Sequence, residues 1–173
     1  MKVILLASLL LVLLIASAVA AAPESVDQVG LGGFLPTELP AGIAFSAAWA
    51  LDFMHLDARG WYGGIWMAHY DATASAQPFI NEPVIVLPFT VDVGALTVGG
   101  VARSRDGKAF AHAGIGVAQA SGSIGRITIE GDTMFAWEVG AGLVGKPIGA
   151  HVRYLDGGVP ASTGVSAALT YCW

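Results

Sequence analysis

Two residues of opposite charge, Glu138 and Arg153, form the strongest candidate for a polar site in this chain. They lie on two alternating apolar and polar segments that Gly145 and Lys146 join. If those two residues make a two-residue turn, the segments form a hairpin in which Glu138 lies directly across from Arg153. A buried carboxylate needs a partner, and a guanidinium can donate two parallel hydrogen bonds to it. The pattern therefore predicts an internal ion pair that fixes the register of the hairpin.

Two histidines on the same predicted face, His112 and His151, could add acid–base chemistry. The same turn would place His151 across from Gly140, one pair nearer the turn, and His112 would point inward from the neighbouring segment. A histidine beside a carboxylate such as Glu138 can act as a general acid or base. We interpret both histidines as internal side chains near the ion pair, and a catalytic histidine stays open as an alternative.

The other two histidines give no sign of a metal centre. His55 and His69 fall near the ends of early segments, and their spacing does not match the patterns of zinc ligands. We predict that they lie at loops or at a membrane interface. No metal, no cofactor and no catalytic residue is predicted.

Segments of about ten residues with period-two alternation recur along the chain and must position these side chains. The candidate strands are residues 42–53, 61–70, 81–91, 93–103, 109–120, 133–144, 147–155 and 164–173. Residues 121–132 are predicted to be a loop. Eight strands of this length can close a small antiparallel barrel that spans a membrane. A soluble β-sandwich or lipocalin-like barrel is the alternative, but the face opposite the bulky residues consists mainly of glycine, alanine, serine and threonine, which suits a narrow barrel interior.

The N-terminal residues predict export. One lysine is followed by an apolar run to Val19, and Ala18-Val19-Ala20 offers a small-residue cleavage site. We therefore predict a cleaved signal peptide at residues 1–21, a lead segment at residues 22–40 and an outer-membrane barrel at residues 41–173. A single membrane-spanning helix is the alternative interpretation of the apolar run.

Composition narrows the partners. Charged residues make up 12% of the chain, the net charge is −5 and the eight basic residues are scattered, so the sequence predicts no nucleic-acid binding. Cys172 is the single cysteine, which excludes an internal disulfide. We expect it to face the barrel interior.

The chain ends on a two-sided strand. Its apolar face is Val165, Ala167, Leu169, Tyr171 and Trp173. Together with the segments "AHAGIGVAQA" and "FAWEVGAGLVGKPIGAHVRYLD", this "GVSAALTYCW" ending resembles the small eight-stranded outer-membrane barrels of Gram-negative bacteria, the opacity-protein-like and OmpX-like family.

The resemblance implies a location, a set of partners and a role. The location is the cell outer membrane, and the partners are outer-membrane lipid, lipopolysaccharide, and the barrel-assembly machinery that recognises the terminal strand. The implied role is structural or surface-interactive, with an extracellular ligand bound through loops. Two alternatives stay open, a small pore and an enzyme that modifies lipid A. Barrel lipid A deacylases carry a histidine two residues before a serine on a late strand, whereas His151 is followed by Val152 and Arg153.

Overall fold

The computed structural model describes residues 24–37, 43–76 and 84–173. The predicted signal peptide, residues 1–21, lies outside the described residues. The strands are β1 (Val26–Pro36), β2 (Ile43–Leu56), β3 (Trp61–Ala76), β4 (Ile85–Arg103), β5 (Ala109–Ile124), β6 (Ile127–Glu130), β7 (Met134–Leu143), β8 (Ile148–Asp156) and β9 (Gly164–Cys172). Within the described ranges no helix is long and apolar enough to cross a membrane.

Eight of these strands close into a barrel. Neighbouring strands pair in the order β4-β3-β2-β1-β9-β8-β7-β5, and β4 also pairs with β5, which completes the ring. Every pairing is antiparallel. The ninth strand, β6, pairs with β5 beyond the ring. The predicted fold class, an all-β eight-stranded antiparallel transmembrane barrel, is confirmed.

Apolar side chains cover the outside of the ring. Leu31 of β1 and Leu169 of β9 are directly paired and are 63% and 68% exposed, and Leu51 lies opposite Leu31 on the other side. Closure leaves no free sheet edge in the ring, and an outward apolar band is the surface that lipid requires. The barrel is therefore an outer-membrane β-barrel.

Side chains fill the inside of the ring. One apolar cluster packs around Phe34, Trp66 and Tyr70, with the rings of Phe34 and Trp66 4.9 Å apart in an edge-to-face contact. A second cluster packs around Met54 and Phe110 nearer the other end. An eight-stranded ring is just wide enough for such packing.

The prediction that residues 22–40 are a lead segment outside the barrel was wrong for residues 26–36. These residues form β1, which pairs with both β2 and β9 and closes the ring. Glycines hide its alternation in the sequence, and the barrel requires at least one of them. A Cβ on Gly32 would lie 1.8 Å from the carbonyl oxygen of Ala167.

The predicted number of strands in the ring, eight, was right because two errors cancel: β1 was missed, and β4 was counted as two strands. The segments 81–91 and 93–103 were predicted as separate strands, yet residues 85–103 form one strand of 19 residues, β4. Pro88 does not break it, because Pro88 lies in its solvent-exposed outer portion, opposite Thr73.

The loop predicted at residues 121–132 was also wrong for most of its length. Strand β5 continues to Ile124, and after Gly125, at φ 60°, the chain returns as β6. A glycine adopts this left-handed backbone conformation without strain. The tight turn extends a hairpin beyond the ring.

The lengths of the connections orient the barrel. At one end the strands are joined by four residues, 57–60, by five, 104–108, and by four, 144–147. The connections at the other end are longer and include the β5–β6 hairpin. Outer-membrane barrels have short periplasmic turns and long extracellular loops. The end that holds Val26 and Cys172 is therefore periplasmic.

Candidate functional site

Seven polar residues meet inside the barrel between the two apolar clusters. We call them the lumen network: Asp52 of β2, Tyr62 of β3, Thr97 of β4, His112 of β5, Glu138 of β7, and His151 and Arg153 of β8. All seven are buried. Alternation along each strand points these side chains inward, and their neighbours in sequence face lipid.

Arg153 is the central cation of the lumen network. Its Nη1 donates to Glu138 Oε2 at 2.9 Å, and its Nη2 donates to Asp52 Oδ1. The structure thus brings the predicted pair Glu138 and Arg153 together and adds Asp52, which the sequence interpretation did not assign to the site.

The predicted register of the β7–β8 hairpin was wrong by two residues. Glu138 lies across from Leu155, and Arg153 lies across from Gly140. The reason is the position of the turn: the last pair of the hairpin is Leu143 with Ala150, so the turn is centred between Lys146 and Pro147 and not between Gly145 and Lys146 as expected. A shift of two residues keeps every side chain on its face, whereas a shift of one would reverse the faces. Arg153 therefore still points inward and reaches Glu138 diagonally.

Glu138 accepts three hydrogen bonds. Besides Arg153, Tyr62 donates its hydroxyl to Oε1 at 2.8 Å and Thr97 donates to the same oxygen at 2.9 Å. Gly114 provides the space for the tyrosine, because a Cβ there would lie 2.0 Å from the Tyr62 hydroxyl oxygen. The carboxylate is thus tied to three other strands.

The two predicted internal histidines contact each other. His112 Nε2 and His151 Nε2 are 2.8 Å apart, and His151 Nδ1 is 2.6 Å from Asp52 Oδ2. The predicted position of His151 across from Gly140 was wrong, because its partner is Gly142. Gly140 instead opens the space for the imidazole contact, since a Cβ there would lie 2.4 Å from His112 Nε2 and 3.0 Å from His151 Nε2.

One sequence signal could have identified Asp52. In the predicted strand 42–53 the apolar residues Leu51 and Phe53 flank Asp52, so alternation places them on the outer face and Asp52 inside. An ionisable side chain inside a barrel needs a partner of opposite charge. Tyr62 carried no comparable signal, because strand β3 has aromatic residues on both faces. Thr97 of β4 is uncharged, so nothing in the sequence required a partner for it.

The remaining two histidines lie away from the lumen network. His55 Nδ1 is 2.7 Å from Asp27 Oδ1, and His69 Nδ1 is 2.8 Å from Asp92 Oδ1. The His69 ring stacks on Trp49 with centroids 5.7 Å apart. In the part of the chain that is described, no group of three or more potential ligands could hold a metal ion.

Four of the five residues of the predicted assembly signal lie along the outer face of β9, and the fifth, Trp173, directly follows its end. Val165 is partly exposed, and Ala167, Leu169, Tyr171 and Trp173 are exposed. The rings of Tyr171 and Trp173 are 6.0 Å apart at the periplasmic end. Cys172 between them is buried inside the barrel.

No protein-family model and no curated protein matches the chain. Solved structures of Ail, the attachment invasion locus protein of Yersinia pestis, are similar to it. A crystal structure of Ail has 14% identity and a TM-score of 0.49, and covers 86% of this chain and 97% of Ail. Ail in complex with the heparin analogue sucrose octasulfate has 12% identity, a TM-score of 0.48 and the same coverage. Ail in a phospholipid bilayer nanodisc has 14% identity and a TM-score of 0.45, and covers 87% of this chain and 100% of Ail. The barrel assignment rests on the strand order and outer face of this chain.

Proposed function

We propose that this outer-membrane barrel acts by surface interaction, through a sheet that extends beyond the ring on the extracellular side, and that it catalyses no reaction. The observation that carries the proposal is this extension. The last residue of β5 that pairs with β7 is Ala118, and residues 121–124 pair with β6 instead. Together with the adjoining ends of β3 and β4 they form the extracellular sheet, residues 71–76, 85–92, 121–124 and 127–130.

The extracellular sheet presents apolar side chains that nothing covers in the described structure. The exposed large apolar residues are Val84, which precedes it, Ile85, Val86, Leu87, Ile124, Ile127 and Ile129. Four consecutive residues, 84–87, are exposed, so both faces of the sheet are open there. Apolar patches of this kind outside a lipid belt mark sites of interaction with other proteins.

Strand β6 gives this surface a binding edge. In the described part of the chain it pairs with β5 alone, so its other side carries unpaired backbone donors and acceptors. Ile127 and Ile129 are 67% and 61% exposed on one face of that edge. An exposed edge with alternate apolar side chains favours the addition of an extended strand from another protein.

The barrel interior supports a binding role over catalysis or transport. Members of the lumen network hydrogen-bond to one another, and they lie between clusters that include Trp66 on one side and Phe110 on the other. A substrate would have to displace this packing, and so would a diffusing solute. We propose that the outer face contacts outer-membrane lipid and lipopolysaccharide, and that β9 is the strand recognised by the barrel-assembly machinery.

Adhesion of intact cells to a layer of immobilised extracellular-matrix proteins tests the proposal. The double variant Ile127→Thr/Ile129→Thr keeps β-branched residues on β6 but removes the apolar face, and we expect adhesion to fall to the level of cells lacking the protein. The matched control, Thr128→Ser on the opposite face of the same strand, should adhere like the parent. Equal adhesion by the isoleucine variant and the parent would refute a role for this edge.

A further inference from the structure

The hydrogen-bond pattern of the lumen network determines where its protons are. Both oxygens of Glu138 accept, from Arg153 at Oε2 and from Tyr62 and Thr97 at Oε1. Both oxygens of Asp52 also accept, from Arg153 and His151. Each of the two carboxyl groups accepts from the Arg153 cation, an arrangement that favours the carboxylate form at both positions.

The contact between the histidines requires one shared proton. Two Nε2 atoms 2.8 Å apart are in hydrogen-bond contact only if one carries a hydrogen and the other a lone pair. His151 Nδ1 carries a second hydrogen, because it lies 2.6 Å from a carboxylate oxygen that can only accept. The remaining position is Nδ1 of His112.

The surroundings of His112 Nδ1 favour a third hydrogen there. This atom is buried, has no hydrogen-bond partner and faces Glu138 Oε1 at 3.6 Å. Without a hydrogen, its lone pair would face a carboxylate oxygen. With a hydrogen, the positive edge of the ring faces the negative charge, and the ring pair carries one positive charge.

Charge balance favours the same assignment. The charged and titratable groups that contact the two rings or their partners from the packed strands are Asp52, Tyr62, Glu138 and Arg153. Two carboxylates and one guanidinium leave one negative charge on side chains that are at most 3% exposed. An unpaired buried charge is costly, so one more cation is required.

We propose that His112 and His151 share a single positive charge, which makes the lumen network neutral, and that they form a proton-dependent lock between strands. Either change of protonation weakens the lock. One further proton on the singly charged pair would give both Nε2 atoms a hydrogen and leave neither with a lone pair to accept, which breaks their contact. Loss of the proton restores the unpaired negative charge. The lock affects the whole barrel because the lumen network joins six of its strands.

The proposal predicts a bell-shaped dependence of stability on pH. In the unfolded chain each histidine titrates near pH ~6.5, so the two together bind about one proton there. Below that pH the unfolded chain binds more protons than the folded pair, and stability falls as pH falls. Above it the unfolded chain binds fewer protons, and stability falls as pH rises. If the folded pair holds one proton over this whole range, the equilibrium constant for unfolding is about eightfold larger at both pH ~5 and pH ~8 than at pH ~6.5.

Urea denaturation in phospholipid vesicles between pH ~5 and ~8 tests this shape. The measurement uses the His55→Asn/His69→Asn background, which leaves His112 and His151 as the two histidines of the chain. A pair that is neutral in the folded state would give a different curve. Unfolding would be favoured more than hundredfold at pH ~5 and disfavoured about fourfold at pH ~8, relative to pH ~6.5. That monotonic curve would overturn the proposal.

A variant and a spectrum complete the test. In His112→Asn the unfolded chain keeps one histidine of the pair, and the folded state keeps one proton on it. The loss of stability toward acid pH should therefore disappear, while the loss toward alkaline pH should persist. A variant that still loses stability toward acid pH would contradict the proposal. Nitrogen NMR of the parent barrel with labelled histidine, at neutral pH, should detect three imidazole N–H groups in the pair. Two N–H groups would overturn the proposal even if the variant does not fold.

Discussion

Replacing Arg153 by methionine tests the energetic role of the lumen network. Methionine keeps much of the length of the side chain but removes the cation that bonds both Glu138 and Asp52. Arg153 is 1% exposed, so water cannot replace the lost hydrogen bonds without disturbing the packing. Breaking a buried ion pair by removing one partner costs about 3–5 kcal/mol. We expect the free energy of unfolding to fall by about that amount.

The control for this variant is a cation in an exposed ion pair. Lys146 Nζ is 3.8 Å from Glu24 Oε2, and its side chain is 65% exposed. Exposed pairs contribute about 0–1 kcal/mol, so Lys146→Met should unfold at nearly the parent's urea midpoint. The comparison separates loss of a positive charge from loss of a buried partner.

A double-mutant cycle identifies the pair itself. Glu138→Gln and Arg153→Met, alone and together, should be non-additive by about 0.5–3 kcal/mol, because the two side chains share one hydrogen bond. The assay is urea denaturation of the barrel in phospholipid vesicles, followed by tryptophan fluorescence. A loss below about 1 kcal/mol for Arg153→Met, equal to that of Lys146→Met, would refute the conclusion that the lumen network stabilises the barrel.

Two further substitutions test particular contacts. Gly140→Ala places a Cβ 2.4 Å from His112 Nε2 and should lower the free energy of unfolding by about 1–3 kcal/mol. The control Gly94→Ala should leave it unchanged, because nothing lies within 4 Å of a Cβ there. Equal urea midpoints for the two variants would contradict the role given to Gly140. Leu31→Arg puts a charge on the lipid face of β1 and should cost about 2–4 kcal/mol if Leu31 lies at membrane depth, and a neutral result would place β1 outside the membrane. The same urea assay measures both effects.

The sequence predicted the faces of the strands more reliably than their pairing. In β7 and β8 the alternation alone assigned Glu138 and Arg153 to the interior, and this survived an error of two residues in the register. The register itself depended on whether the turn was centred between Gly145 and Lys146 or one residue later, which the sequence around Gly145 does not determine.

The unpredicted parts of the site depend on contacts between distant segments. Asp52 and Arg153 are 101 positions apart, so no local pattern joins them. Strand β1 escaped detection because its inward positions include Gly30 and Gly32, which erase the hydrophobic alternation. Those glycines are needed only after the ring closes, when β9 packs against them.

Strands β1 and β9 pair to close the ring, and a cysteine cross-link between them tests this closure most directly. Leu31 and Leu169 are directly paired, and paired antiparallel positions have Cα atoms about 4.5–5.5 Å apart, within the range that a disulfide spans. In a Cys172→Ser background, the pair Leu31→Cys/Leu169→Cys should cross-link on oxidation of intact outer membranes. The control pair, Leu31→Cys/Leu143→Cys, should not, because Leu143 lies on β7, two strands beyond β9. Cross-linking of the first pair alone is the predicted result. Its absence, or equal cross-linking of both pairs, would contradict the closed eight-stranded barrel.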